Sequence, residues 1–124
     1  MAASAGPERY FPARPESVYE AREFVVSALA ESEVDQDDVA VLTTEVATNA
    51  VLHANTDFRV RVEVRDEAVR IEVINDAPDL LLIRKEPSRD GGRGLRILDS
   101  LARDWGVEEH AHDKVVWFEV ERRR

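Results

Sequence analysis

The chain has 124 residues, a formal net charge of −9 and no cysteine, which is enough chain for one domain with a real core and too little for two. No run of about 18 apolar residues reads as a membrane span, and the opening MAASAGPERY lacks the apolar core of a signal peptide. Without cysteine, disulfides and thiolate metal sites are excluded, in keeping with a cytoplasmic location, and the acidity argues against general contact with nucleic acid.

Residues 1–7 are small and polar and read as a flexible N-terminus, with a single domain over 8–124. RYFPA (9–13) suits a short edge strand ended by Pro12 and Pro15. Ser17 and Glu20 have capping-box spacing, and Val18, Ala21, Val25, Ala28 and Leu29 follow at helical intervals, predicting a helix over 17–31. Asp35, with Asp38 three residues on, starts a second helix. Its apolar stripe is Val39, Leu42, Val46 and Ala50; it runs to His53 or Ala54, with Asn55 as a left-handed stop. The period then becomes two. Phe58, Val60, Val62 and Val64 alternate with charged residues, Asp66-Glu67 makes the turn, and Val69, Ile71 and Val73 form a strand ending at Asn75-Asp76. Residues 77–90 hold two prolines and no sustained period, the profile of a long lid or binding loop. GGRG (91–94) leads into a short helix from Leu95 to about Ala102. Strands at 105–110 and 114–121, joined at His112-Asp113, close the chain, with Trp105 and Trp117 assigned to the core and His110 and His112 to an exposed turn. This order predicts an α/β class fold: a two-layer α/β sandwich, its mainly antiparallel mixed sheet covered on one face by about three helices.

Three places carry possible chemistry. On a wheel of about 100° per residue, Glu45, Asn49 and His53 run along one border of the second helix's apolar stripe, Asn49 about 80° and His53 about 40° from its centre. A border row lies where the helix meets its neighbours, so a carboxylate and an amide there can hold a cation or an activated water; many surface helices carry such residues without function. The second place is GGRGLRIL (91–98), inside a stretch from Arg84 to Arg96 with five basic and two acidic residues. Glycines opening a helix let backbone N–H groups approach an anion, and Arg93 and Arg96 add charge, although a flexible capped loop has the same composition. It matches neither a P-loop nor a Rossmann fingerprint. The third is Asp76 at a strand end, placed to accept from an amine, or simply a turn residue beside Pro78.

Taken in order, Glu45-x-x-x-Asn49-x-x-x-His53-Ala54, a strand ending in Asp76, GGRGL at 91–95, Trp105-Gly106 and Lys114-Val-Val-Trp-Phe-Glu resemble the GHKL (Bergerat-fold) ATPase superfamily. The resemblance spans about Phe11 to Val120 and is greatest to the small anti-sigma factor serine-protein kinases and related bacterial ATP-binding regulators. It implies ATP and Mg²⁺ as cofactors. In its terms Asn49 holds the metal that bridges the phosphates, Glu45 is the general base, and Asp76 recognises the adenine amino group. Gly91, Gly92, Arg93, Gly94 and Leu95 close over the phosphates, with 77–90 as the lid. The implied partners are a sigma factor and an anti-anti-sigma antagonist that is phosphorylated on serine. Homodimers are common among such proteins, and no surface pattern here decides that point. One departure stands out: where much of the superfamily has D-x-G-x-G, Asp76 is followed by Ala77-Pro78-Asp79. A second reading therefore stands beside the kinase: a non-catalytic protein-binding regulator on the same fold, with weak or no ATP binding. A detached histidine-kinase catalytic domain fits less well, since a dimerising phospho-acceptor helix pair has no room here.

Overall fold

The computed structural model describes residues 6–54, 56–75 and 93–123, with backbone alone at 53–54 and 93–95. Its strands are β1 (Glu8–Phe11), β2 (Phe58–Val64), β3 (Ala68–Asn75), β4 (Asp104–Glu109) and β5 (Lys114–Glu121). Its helices are α1 (Glu16–Ala28), α2 (Gln36–Thr48) and α3 (Arg93–Leu101), and α2 runs directly into a π-helical segment, Asn49–Ala54. The five strands form one sheet in the order β1-β2-β3-β5-β4. Every pairing among the described residues is antiparallel, so the expected mixed character is absent. The two hairpins β2–β3 and β4–β5 and the two-helix return from β1 to β2 supply three of the antiparallel pairs, and the fourth arises because β5 lies between β3 and β4, which are parallel and follow one another in the chain with α3 between them, a split βαβ order.

Alternation sorts the two faces. On the inner face Val62, Ile71, Phe118 and Trp105 lie side by side in register, and so do Val60, Val73, Val116 and Val107. Ala21, Val25 and Leu29 of the α1 region and Val39, Leu42, Val46 and Ala50 of α2 complete this core, the residues that 3.6-residue spacing had selected. Each fully buried Val, Leu, Ile or Phe contributes roughly 1.5–3 kcal/mol.

Among the described residues the outer face carries no helix, and arginines and glutamates cover it. Glu8 pairs with Arg59 and Arg61, Arg61 with Glu72, Glu72 with Arg70, Arg70 with Glu119, and Glu119 with Arg65. Single exposed pairs contribute about 0–1 kcal/mol; the larger effect is that their stems shield Ala68, Ile74 and Val115, all buried. Trp117 belongs to this face rather than to the core expected from sequence. It is half-buried beneath the Arg70 guanidinium, 4.2 Å from the ring centroid. Gly106 lies opposite it in register, and a β-carbon there would come within 2.9 Å of the indole.

Helix ends follow local chemistry in one case and depart from it in another. Asp35 caps α2, its carboxylate accepting from the Asp38 N–H at 3.0 Å. The capping box expected at Ser17 does not form. α1 begins one residue earlier, after Pro15, and Ser17 is a fully buried helical residue whose hydroxyl has no hydrogen-bond partner among the described residues. Proline's fixed φ starts the helix instead. Asp57 fastens β1 to β2 by accepting from the Tyr10 hydroxyl at 2.6 Å and the Ala13 N–H at 2.8 Å. These bonds, the Tyr10 one foremost, hold its carboxyl below the usual range.

Candidate functional site

The apolar stripe of α2 fixes the helix's rotation on the sheet, and that rotation decides what Glu45 and Asn49 can do. Val46, Ala47 and Ala50 are buried, whereas Glu45 and Asn49 are half-buried, one helical turn apart on the border between core and solvent. Among the described residues neither side chain has a hydrogen bond or ion pair. A shielded carboxylate and amide that no described protein group satisfies suit a ligand.

Asn49 is also the first residue of the π-helical segment. The sequence pattern anticipates regular helix through His53 or Ala54, and the change to wider hydrogen bonding is a difference; such segments often mark functional positions. The segment is tied to the sheet in two steps. The Thr56 N–H donates to the Ala50 carbonyl at 3.3 Å, and the Thr56 hydroxyl donates to Asn75 Oδ1 at the end of β3. Asn75 in turn lies opposite Lys114, and Lys114 opposite Glu109. The last inner-face row of the sheet is therefore polar on β3, β5 and β4, beside Phe58 of β2, with Asn75 and Lys114 only 1% and 2% exposed. Thr56, Asn75 and Lys114 did not stand out in the sequence as site residues. The usable signal was alternation: Asn75 and Lys114 occupy inward positions of strands whose other inward residues are apolar.

Of the remaining expected residues, Asp76, Gly91, Gly92 and the lid 77–90 lie outside the described residues. Arg93, Gly94 and Leu95 open α3, which begins two residues before the expected start at Leu95. The helix is seated by buried Leu98 and by Asp99, which accepts from Trp105 Nε1 at 2.6 Å. His53 lies in the π-helical segment. His110 and His112 are exposed, as expected.

The chemistry of Asn49, one neutral amide oxygen, is compatible with a Mg²⁺ held mainly by phosphates. No group of three His, Cys, Asp or Glu side chains among the described residues is arranged to hold a metal. Mg²⁺ accompanying phosphates needs only one or two protein oxygens, which an asparagine such as Asn49 supplies.

Comparison with known proteins agrees with this architecture. The family model of the histidine kinase-like ATPase domain matches residues 11–120, nearly the whole chain. Among solved structures, the RsbU and RsbW domains of Rv1364c from Mycobacterium tuberculosis align with a TM-score of 0.64 and 20% identity, over 94% of this chain. The match covers 33% of that chain, so the present sequence spans about a third of its length, and the likeness is one of fold. No curated protein matches significantly. No described helix is long and apolar enough to cross a membrane. A helix border that presents Glu45 and Asn49, set on an antiparallel sheet and matched from Phe11 to Val120, makes this chain a member of the histidine kinase-like ATPase domain family.

Proposed function

We propose that the chain binds ATP with Mg²⁺ and acts as a serine-protein kinase and anti-sigma factor, phosphorylating an anti-anti-sigma antagonist and sequestering a sigma factor. The observation that carries this reading is the half-buried pair Glu45 and Asn49 on the inner border of α2, without a polar partner among the described residues. Family membership supports the ATP part. The fold shared with a structure containing an RsbW domain, and the sequence resemblance to anti-sigma kinases, support the choice of partner and of serine as acceptor.

In this reading Asn49 offers its amide oxygen to the metal, and Glu45 takes the proton from the attacking serine hydroxyl. The bound Mg²⁺ neutralises charge on the phosphates. Such transfer needs little from the protein beyond position, charge and a base. The Gly91–Leu95 segment and Asp76 complete the proposal as phosphate and adenine contacts.

A second reading is favoured by one feature, Ala77-Pro78 where glycines are common: a protein-binding regulator that holds ATP weakly or not at all. Titration with ATP and Mg²⁺, followed by transfer of labelled γ-phosphate to the protein that co-purifies, separates them. Nucleotide binding with transfer to a serine supports the kinase. A protein that captures its partner yet neither binds nor transfers refutes it in favour of the regulator.

A further inference from the structure

Asn75 takes an inward position of β3, after Ile71 and Val73, and is as buried as they are. Burying an amide is costly unless it is hydrogen-bonded, so packing alone would favour an apolar side chain there. What Asn75 supplies is an acceptor: its Oδ1 takes the hydroxyl hydrogen of Thr56. Thr56 follows the π-helical segment Asn49–Ala54, and its backbone N–H returns to the carbonyl of Ala50 at 3.3 Å. It thus joins the end of β3 to the residue next to Asn49 in the chain. The π-helical form is rare, and in this segment it is held by buried Ala50 and Val51 and by the Thr56 link. Where that form begins decides how the backbone turns at Asn49. The Asn49 side chain has no hydrogen bond among the described residues, so its direction is set by the backbone that carries it.

We propose that Thr56 and Asn75 are positioning residues for the amide of Asn49: their hydrogen bond fixes the π-helical segment against the end of β3 and so sets the direction in which Asn49 projects. This rests on the nucleotide reading above, in which Asn49 offers its amide oxygen to Mg²⁺. Mg²⁺ demands near-octahedral geometry and short bonds, so a ligand free to swing is worth much less to it than one held in place. Neither Thr56 nor Asn75 is assigned a contact with the nucleotide; both act through Asn49. Removing their link therefore matters only while Asn49 is present and only when the metal is.

The test is calorimetric titration of ATP, with and without Mg²⁺, into the unmodified protein, Thr56→Val, Thr56→Ser, Asn49→Ala and the Asn49→Ala/Thr56→Val double variant. Valine keeps the shape of threonine and removes the hydroxyl, whereas serine keeps the hydroxyl. Thr56 is only half-buried, so the fold is expected to survive; thermal melting checks this, and Thr56→Ala takes the place of a valine variant that does not melt cooperatively. The expected result is a loss of roughly threefold to tenfold in Mg²⁺-dependent ATP affinity in Thr56→Val, restored in Thr56→Ser. Affinity without Mg²⁺ stays unchanged, and in the Asn49→Ala background Thr56→Val adds no further loss. Unchanged affinity in folded Thr56→Val overturns the positioning role. So does a loss of equal size with and without Mg²⁺, or one that persists undiminished beside Asn49→Ala, since either marks a merely structural contact. If the unmodified protein binds no ATP with Mg²⁺ present, the nucleotide reading itself falls and takes this one with it, an outcome distinct from the others.

Discussion

Replacing Glu45 by glutamine exchanges one oxygen for an amide NH₂ and removes a proton acceptor while keeping shape. The structure sets what else changes. Glu45 is half-buried and has no hydrogen bond or ion pair among the described residues, so no described polar interaction is lost. Glutamate and glutamine have similar helix propensity, and the change in stability is expected to stay within about 0.5 kcal/mol. Phosphotransfer, under the proposed function, would lose its base. General-base catalysis is worth about 10²–10⁴ in rate, which at about 1.4 kcal/mol per tenfold is roughly 3–6 kcal/mol of barrier. The assay is single-turnover transfer of labelled γ-phosphate to the co-purified antagonist, with ATP affinity and melting temperature measured on the same preparations. The expected pattern is slow transfer with affinity and melting temperature retained. Transfer at the unmodified rate removes Glu45 from the chemistry, and a fall in rate matched by a fall in melting temperature assigns it a structural role instead.

Three further outcomes follow from the fold. Asp35→Ala removes the N-cap of α2 and is expected to cost about 1 kcal/mol in chemical denaturation, while Asp35→Asn keeps an acceptor and retains most of it. Glu8→Gln probes the outer-face network by pH. The Arg61 hydrogen bond, helped by Arg59, holds the Glu8 carboxyl below its ordinary value despite some desolvation. A depressed folded-state value stabilises above the unfolded value, and the gain is lost as pH falls through the folded one. The unmodified protein should therefore be the more stable near neutrality, with the difference vanishing in acid, and a pH-independent difference would sink this assignment. Gly106→Val drives a side chain into the space of the Trp117 indole, and a red shift in tryptophan emission with lowered stability is expected; unchanged emission would contradict the close approach.

Elements with strong periodicity were legible in the sequence. The strands of the β2–β3 hairpin alternate so regularly that their inward residues could be named, and α2 announced itself by a stripe and by Asp35. Ser17 misled because the capping-box spacing is met by a residue already inside the helix, where Pro15 had started it. Trp117 misled because size suggests core, whereas its phase in β5 puts it opposite Phe118 and Val116, on the face that Arg70 covers. Glu45 and Asn49 stand out in the sequence as candidates because their spacing is local to one helix. Asn75 and Lys114 were harder: their significance arises only when register brings three strands together, and register is not written in any one segment.

The central claim is that Asn49 and its neighbours hold a magnesium-bound nucleotide. Titration of ATP into the unmodified protein and Asn49→Ala, each with and without Mg²⁺, tests it most directly. Saturable binding that depends on Mg²⁺, and that weakens by about tenfold or more in the variant, is the result expected. No binding by the unmodified protein with Mg²⁺ present, or equal affinity and equal metal dependence in Asn49→Ala, would contradict the account.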